Sequence, residues 1–417
     1  MTAPTTTSAA APRGPLMLLD EALSRLLEHA QRIEGTQTIS TFDADGRVLA
    51  NDLVSPLQVP PQDNSSMDGY AVRVADVGSE GAMLPVSQRI PAGSAAQPLG
   101  AGSAARIFTG APVPQGADAI VMQEDTQDSG DGRVTILRVP EPGQWIRRSG
   151  EDVRKGSVVL AAGERLSPAS IGLAASIGCG RVDVVRRPRV ALFSTGDELV
   201  MPGEVAPADM KPGAIYNSNR FFLRALLVRL GCEVGDVGIV PDNREATIAA
   251  LTKAARNCDL ILTSGGVSVG EEDHVKPAVQ SLGSLDLWQI AMKPGKPFAY
   301  GRVGTTHFIG LPGNPVSSFV TFVLLVRPFL LKLQGAANIA LRPIQLPAHF
   351  DLPRADKRRE FLRVRRNAQG GVELFPNQSS GVLTSAVWAD GLVDNPPGRA
   401  IARGDMVSFL PLAEFTA

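Results

Sequence analysis

Between residues 188 and 333 the chain alternates short apolar runs with helix-like segments, and this pattern most limits the folds open to it. The runs RVALFST (189–195), GDVGIV (235–240) and DLILTSGG (259–266) lead into turns rich in Gly, Pro, Ser or Asp, and the segments between them carry apolar residues at helical spacing. Strands that alternate with helices in this way are typical of an open, mostly parallel α/β sheet. Because ligands bind beyond the carboxyl ends of such strands, the sequence predicts a binding site in this domain.

The flanking regions differ from this central domain. At 417 residues the chain is too long for one ordinary hydrophobic core, so several domains are expected. Residues 1–14 are small and polar, which predicts a disordered leader rather than a signal peptide. Residues 15–187 predict a helix followed by two small β-rich domains, and residues 342–417 predict a small C-terminal β-barrel or sandwich. The expected fold class is therefore multidomain α/β plus β, with the α/β domain at 188–333.

Charge and cysteine content limit the kinds of partner and metal site that the chain could have. The net charge of -1 gives no bulk attraction to nucleic acid or to acidic membranes. The three cysteines are far apart and only four histidines are present, which disfavours a disulfide framework or a zinc site and leaves Mg²⁺ as the best-fitting metal. With no run that looks like a membrane span, we expect a soluble, cytoplasmic protein without nucleic-acid or membrane partners.

The segment TSGGVSVG (263–270) directly follows an apolar run and is the strongest local signal. Gly265 and Gly266 allow backbone N–H groups to approach a ligand, and the hydroxyls of Ser264 and Ser268 add donors for phosphate or pterin oxygens. A strand-to-helix turn without a ligand is the alternative. The segment matches neither a Walker P-loop nor a GxGxxG fingerprint, which disfavours P-loop nucleotide hydrolysis and Rossmann-type hydride transfer.

Acidic residues follow several of the predicted strands. Glu198, Asp242 and Asp273 would meet at one edge of a parallel sheet, where carboxylates can hold Mg²⁺ against a pyrophosphate. Asp242 also has Glu245 three residues later, so it could instead form a capping box at the start of the next helix.

Two proline-rich turns offer groups that could bind an anion. Lys293 and Lys296 lie in KPGKP, where the prolines restrict the backbone and could preset a pair of positive charges; an ordinary solvated turn is the alternative. The segment LPGNPVS (311–317) leads into an apolar helix. Asn314 or Ser317 could cap that helix, and the helix N-terminus could also receive an anion.

The basic run DKRREFLRVRR (356–366) could suggest nucleic-acid binding. The simpler interpretation is a strand with Leu362 and Val364 facing inward and the charged residues facing water. The run lacks interleaved aromatic residues, which disfavours nucleic acid. Arg363 could still present its planar guanidinium to an oxyanion.

Seven segments stand in this order along the chain: DNSSMDGYAVR, RIFTGAPVPQGADAIVMQED, IRRSGEDV, LFSTGDELV, TSGGVSVGEEDHVK, AMKPGKPFAYG and LPGNPVSSF. Each is a weak signal alone, and the residue types of the first three assign no role to them. The ordered set, which spans nearly the whole chain beyond the leader, resembles the molybdopterin molybdenumtransferase family, which includes bacterial MoeA and the E domain of gephyrin.

The resemblance implies a central molybdopterin-binding domain, two N-terminal domains and a C-terminal β-barrel in a homodimer. It implies Mg²⁺-dependent insertion of molybdate into adenylylated molybdopterin, with release of AMP, at a composite site between the subunits. It also implies a molybdopterin adenylyltransferase, and a molybdoenzyme or cofactor carrier, as partners.

The resemblance further implies roles for individual residues. Those that would cradle the ligand are Ser264, Gly265, Gly266 and Ser268. Those that would support pyrophosphate cleavage and hold Mg²⁺ are Asp242, Asp273 and Glu198. Those that would line or flank the molybdate pocket are Lys293, Lys296, Pro312, Pro315, Ser317, Arg363 and Ser380. Those that would come from the second subunit are Asp63, Thr109 and Asp152.

Two positions depart from the family pattern. Asn243 follows Asp242 where many relatives carry a second acid, and the C-terminal loop reads QSSG (378–381) where QGSG is commoner, which weakens the assignment of Ser380. Two other functions remain open from the sequence: a molybdopterin adenylyltransferase, which shares the α/β module, and a non-catalytic scaffold like gephyrin. The N-terminal segments disfavour the first, and no fused module or long linker favours the second.

Overall fold

The computed structural model describes residues 16–266 and 274–416, so the predicted leader lies outside the described residues. The described chain forms four parts: a small β unit, a six-stranded β domain inserted within it in sequence, a central α/β domain and a C-terminal β domain.

The N-terminal region contains three helices and twelve short strands. The helices are α1 (Leu19–Glu28), α2 (Val74–Val77) and α3 (Pro168–Ser176). The strands are β1 (Thr36–Ser40), β2 (Leu53–Val54), β3 (Asn64–Ser65), β4 (Gly69–Val72), β5 (Ala82–Ile90), β6 (Ala104–Ile107), β7 (Ala119–Met122), β8 (Thr126–Asp128), β9 (Arg133–Ile136), β10 (Ile146–Arg147), β11 (Val158–Leu160) and β12 (Arg181–Val185).

Strands distant in sequence pair to form the small β unit. β1 pairs with β12 and β2 pairs with β11, both antiparallel. The chain between them forms the second β domain, a sheet in the order β7-β4-β6-β5-β9-β8. Helix α1 does not belong to either β domain. Its apolar stripe (Leu19, Ala22, Leu26) is buried in the core of the central domain, where it meets Leu330 and Leu333.

The described residues of the central domain form five helices and nine strands. The strands are β13 (Arg189–Thr195), β14 (Leu199–Val200), β15 (Ile215–Tyr216), β16 (Glu233–Val240), β17 (Leu260–Ser264), β18 (Gly283–Gln289), β19 (Met292–Lys293), β20 (Pro297–Val303) and β21 (Thr306–Leu311). The helices are α4 (Ser218–Arg229), α5 (Arg244–Ala255), α6 (Val275–Leu282), α7 (Pro315–Thr321) and α8 (Arg327–Leu333).

The central sheet has the order β16-β13-β17-β21-β20-β18. The first four strands are parallel, while β20 runs antiparallel to both of its neighbours. The predicted mostly parallel α/β sheet is therefore confirmed. The β13, β17 and β21 strands are buried along nearly their whole length, as expected for strands covered by helices on both faces.

Helices α7 and α8 are joined by a π-helical turn at Phe322–Val326. The continuous helix Pro315–Leu333 is long and apolar enough to cross a membrane by length and composition, although the sequence predicts no such span. In the structure, 89% of its most apolar window is buried inside the protein. Arg327 within it donates hydrogen bonds to the carbonyls of Ile339 and Glu414. The helix is therefore the core helix of the central domain.

The C-terminal domain consists of two helices and five strands. They are β22 (Ile344–Pro347), β23 (Arg359–Arg366), β24 (Val372–Leu374), α9 (Leu383–Trp388), β25 (Gly391–Asn395), β26 (Met406–Pro411) and α10 (Ala413–Thr416).

The C-terminal strands curl into a small barrel around an apolar core. They pair in the order β23-β25-β26-β22, and β24 pairs with the other edge of β23. A bridge between Ala348 and Val372 and a hydrogen bond from His349 N–H to the Val372 carbonyl close the ring between β22 and β24. β19 of the central domain adds to this sheet by pairing in parallel with β23.

Candidate active site

A cavity of about 680 Å³ lies beyond the carboxyl ends of β13, β17 and β21. Thr195 ends β13, Ser264 ends β17, and Pro312 follows β21; all three line the cavity. Residues from the start of α4 and from the C-terminal loop at Gly381 complete the wall. This is the edge at which an open α/β sheet is expected to bind its ligand.

The turn after β17 provides the floor of the cavity. Gly265 and Gly266 have φ of +91° and +67°, a backbone region that favours glycine. A Cβ on Gly266 would lie 2.5 Å from Val275 Cγ2 and 2.9 Å from Thr195 Oγ1, so this glycine permits a close packing of turn, strand and helix. Ser264, Gly265 and Gly266 all line the cavity, in agreement with the prediction. Ser268 lies outside the described residues.

Asn219 connects this turn to a second loop, and the sequence did not indicate it. Its Nδ2 donates to Ser264 Oγ and to the carbonyl of Gly313, both at 2.7 Å. Asn217, two residues earlier, caps α4 by accepting a hydrogen bond from Arg220 N–H. The contact to Gly313 spans 94 positions in sequence, so local pattern could not reveal it.

The LPGNP loop forms the part of the wall beside the start of α4. Pro312, Pro315 and Ser317 line the cavity as predicted. Asn314 occupies the N-cap position of α7, but its side chain makes no capping hydrogen bond. Instead, the N–H of Val316 donates to the carbonyl of Ser380, which ties the C-terminal loop to the start of the helix.

The three predicted metal-binding carboxylates do not meet within the described residues. Glu198 lines the cavity, with its carboxylate lying against Gly196, where a Cβ would be 2.5 Å from Glu198 Oε2. Asp242 follows β16 at the same edge of the sheet but does not line the cavity, and Asp273 lies outside the described residues. In the part of the chain described, no group of three or more His, Cys, Asp or Glu side chains is placed to hold a metal.

The predicted capping box at Asp242 is wrong. Helix α5 begins one residue later than that motif requires, with Asn243 as its N-cap, and Asn243 Oδ1 accepts from Ala246 N–H at 2.8 Å. Asparagine and aspartate are equally good N-caps, so the choice was set by where the helix starts. Capping therefore does not occupy the carboxylate of Asp242.

The two lysines of KPGKP have different surroundings, so they do not form a preset pair of charges. Lys293 Nζ lies 3.0 Å from Glu360 Oε1 and 3.3 Å from Asp356 Oδ2. Burial lowers the pKa of Lys293, but these two carboxylates outweigh burial and raise it. Lys296, half-buried beside the cavity-lining Pro297, makes no side-chain hydrogen bond or ion pair with any described residue.

Arg363 contradicts the simple interpretation of the basic run. Leu362 and Val364 are buried as expected, but Arg363 between them is only 1% exposed. Its guanidinium donates to Ser385 Oγ, to the Phe361 carbonyl and, at 3.4 Å, to the Ser379 carbonyl, and no carboxylate pairs with it. Burial lowers the pKa of Arg363 to about 10. The nearby Ser379–Gly381 loop reaches the cavity, so this buried charge lies next to the site.

The three N-terminal motifs that had no role in sequence come together in the second β domain. Asp63 accepts hydrogen bonds from Arg148 and from Ser149 N–H, and Asp68 accepts from both the N–H and the hydroxyl of Thr109. Burial raises the pKa of Asp63, but these hydrogen bonds outweigh it and hold the pKa below its usual value.

Backbone hydrogen bonds between Ser65 and the TGAP loop complete this cluster. Asp152 lies nearby on the surface, and its N–H donates to the Val59 carbonyl. None of the residues of this N-terminal cluster lines the cavity of the same chain.

Fold and site together define a multidomain α/β protein with an open cavity at the strand ends, lined by hydroxyl and amide side chains and by the carboxylate of Glu198. Family models agree along the chain: the MoeA N-terminal region (domain I and II) matches residues 17–178, a probable molybdopterin binding domain matches 191–332, and the MoeA C-terminal region (domain IV) matches 345–412.

Curated relatives extend the match over nearly the full length. The chain is 43% identical to the molybdopterin molybdenumtransferase of Haemophilus influenzae, over 95% of this chain and 98% of that protein. It is 38% identical to the protein of the same name from a Nostoc species, over 91% and 89% of the two chains. The chain therefore belongs to the molybdopterin molybdenumtransferase (MoeA) family, which confirms the predicted resemblance.

A solved structure supports the fold. The crystal structure of the molybdopterin biosynthesis moeA protein from Pyrococcus horikoshii OT3 superposes with a TM-score of 0.82 at 31% identity, covering 95% of this chain and 100% of that one. The predicted multidomain α/β plus β fold class is thus confirmed.

Proposed function

We propose that this chain inserts molybdate into adenylylated molybdopterin, with release of AMP, as a step of molybdenum cofactor biosynthesis. The names of its relatives support molybdopterin and molybdate as substrates. The observation that carries the proposal is the cavity at the strand ends, because it lies within the segment that matches a molybdopterin-binding domain and has two cations beside it without anionic partners.

Those two cations suit an oxyanion. Molybdate is a compact dianion, and Lys and Arg hydrogen bonds to oxyanions are strong because they are charge-assisted. Lys296 makes no ion pair with any described residue, and Arg363 is buried without a carboxylate. We assign both to molybdate, together with the hydroxyls of Ser317 and Ser380. The charge of Lys293 is already neutralised by Glu360 and Asp356, so we assign it to holding the KPGKP turn against the barrel.

The pterin and phosphate groups would lie deeper, against the turn after β17. Ser264 supplies a hydroxyl there, and Gly265 and Gly266 allow backbone N–H groups to approach phosphate oxygens closely. Ser268, next along the same loop, would add a second hydroxyl. Pro312 and Pro315 stiffen the opposite wall, which reduces the entropy lost when the ligand is bound.

Mg²⁺ fits the donor set. Mg²⁺ usually keeps several waters and takes one or two carboxylates together with substrate phosphate oxygens, so the single carboxylate of Glu198 in the described cavity is chemically sufficient. Asp242 and Asp273 are the further ligands that we propose. The bound metal would neutralise negative charge on the pyrophosphate that is cleaved. The chain's own part is to orient that pyrophosphate through Ser264 and Glu198.

The N-terminal cluster would act across a homodimer. Since Asp63, Thr109 and Asp152 lie away from the cavity of their own chain, we propose that the cluster of a second copy completes the cleft. We further propose that the dimer works in the cytoplasm, receives its substrate from a molybdopterin adenylyltransferase and passes its product to a molybdoenzyme or cofactor carrier.

The test is AMP release by the purified chain given adenylylated molybdopterin, Mg²⁺ and molybdate. We expect AMP and active cofactor only when molybdate is present, and little of either from Glu198→Gln or Lys296→Ala. The matched control is Lys253→Ala, which removes an exposed lysine on α5 and should keep full activity. Formation of adenylylated molybdopterin from molybdopterin and ATP would instead indicate an adenylyltransferase. Normal molybdoenzyme activity in cells that carry Asp273→Asn with Lys296→Ala would indicate a scaffold.

A further inference from the structure

Asn219 has both of its amide hydrogens engaged by groups that line the cavity. Its Nδ2 lies 2.7 Å from Ser264 Oγ and 2.7 Å from the carbonyl oxygen of Gly313. Asn219 is 9% exposed and Ser264 is 4% exposed, so water competes little for these bonds. Asn219 therefore joins α4 to the turn after β17 and to the LPGNP loop.

The chemistry of this contact fixes the direction of each hydrogen bond. The Gly313 carbonyl oxygen can only accept, so the group of Asn219 that faces it must be the amide nitrogen. The same nitrogen faces Ser264, and an amide NH₂ can only donate. Ser264 Oγ must therefore accept from Asn219.

A hydroxyl that accepts one hydrogen bond still has its own proton to donate. No other hydrogen bond in the described part of the chain involves the hydroxyl of Ser264, a residue that lines the cavity. Its proton is therefore left for an acceptor atom of whatever occupies the cavity. Without Asn219, the hydroxyl could rotate between donating and accepting roles.

We propose that Asn219 is a positioning residue that commits Ser264 to donate to an anionic oxygen of the ligand. This inference rests on the proposed function, because the ligand is taken to be the adenylylated molybdopterin.

A double-mutant cycle tests this. Steady-state kinetics with adenylylated molybdopterin, at saturating molybdate and Mg²⁺, would be compared for wild type, Asn219→Ala, Ser264→Ala and the double variant. A hydrogen bond to a charged group is worth enough to expect a rise in KM of about ten- to a hundredfold for Ser264→Ala. Asn219→Ala should raise KM by no more than that, and kcat should change little. In the Ser264→Ala background, Asn219→Ala should change KM by less than about twofold.

Two controls separate this role from a loss of folding. Ser167→Ala removes the N-cap of α3, far from the cavity in the fold, and costs a similar amount of stability; it should leave KM unchanged. A loss of folded protein lowers the apparent kcat and leaves KM constant. Loss of the positioning role instead raises KM and leaves kcat nearly constant. If Asn219→Ala does not fold, Asn219→Ser, which keeps one donor, takes its place in the cycle.

The possible failures are distinguishable. If wild type releases no AMP, the proposed function fails. If wild type is active but Asn219→Ala raises KM equally in both backgrounds, Asn219 acts independently of Ser264 and the positioning role is wrong. An unchanged KM in Asn219→Ala would overturn the inference outright.

Discussion

Replacing Arg363 with methionine should remove the stabilisation by molybdate and leave the free energy of unfolding nearly unchanged. Arg363 is 1% exposed and pairs with no carboxylate among the described residues, and burial lowers the pKa of its guanidinium from the usual arginine value to about 10. At 1.36 kcal/mol for each pKa unit, keeping this charge buried costs the ligand-free protein about 3 kcal/mol. Arg363→Met removes that cost, together with hydrogen bonds to Ser385, Phe361 and Ser379 that are each worth about 1 kcal/mol.

Because these two changes nearly cancel, the free energy of unfolding should change by no more than about 1.5 kcal/mol. Urea denaturation at pH 7 without ligands measures it. Molybdate should raise the melting temperature of the wild type and leave that of Arg363→Met unchanged. The matched control is Arg365→Met on the same strand, an exposed arginine paired with Glu373, which should behave like wild type in both assays. A loss of 3 kcal/mol or more in Arg363→Met would refute the reasoning, because it is the loss expected when a structural buried charge is broken.

Three further predictions concern the described residues around the site and in the core. Gly266→Ala should lower stability by about 1–3 kcal/mol, since it strains a φ of +67° and forces a Cβ against Val275; a wild-type melting temperature would contradict this. Asn243→Ala should lower the free energy of unfolding by about 1 kcal/mol, because it removes the N-cap of α5. A larger decrease for Asp242→Ala would show that Asp242 is the N-cap instead. Burial lowers the pKa of His307 to about 4, so the free energy of unfolding should fall by up to about 3 kcal/mol as the pH drops from above 6.5 to below 4. His307→Gln should lose much less stability than wild type over that range, as measured by urea denaturation at pH 7 and pH 4.5. If the variant and wild type lose the same free energy of unfolding between these two pH values, another group is responsible.

The sequence predicted those parts of the fold that depend on local periodicity. The strand–helix alternation of the central domain is as expected, because apolar spacing, caps and glycines act over a few residues. The placement of Glu198 and Ser264 at the cavity followed from one geometric fact, that parallel strands end at one edge.

The errors arose where partners come from distant parts of the chain. Lys293 was expected to be available for an anion, but its partners Asp356 and Glu360 are more than 60 residues away. Arg363 was expected to face water because charged residues in a run usually do, and only the closure of the barrel explains its burial. The N-terminal motifs meet through strand pairing between β3 and β10, which residue types do not indicate.

The pairing of β19 with β23 means that the boundary near residue 340 is not a place to cut the chain. Met292 and Lys293 belong to the central domain in sequence but complete the sheet of the barrel. An isolated barrel would expose the edge of β23 at Arg359 and Glu360, and an isolated central domain would carry an unpaired strand beside its ligand cavity. Both fragments would present open backbone groups to other chains, so we expect separate expression to give aggregates, and coexpression of the two halves to give a soluble complex.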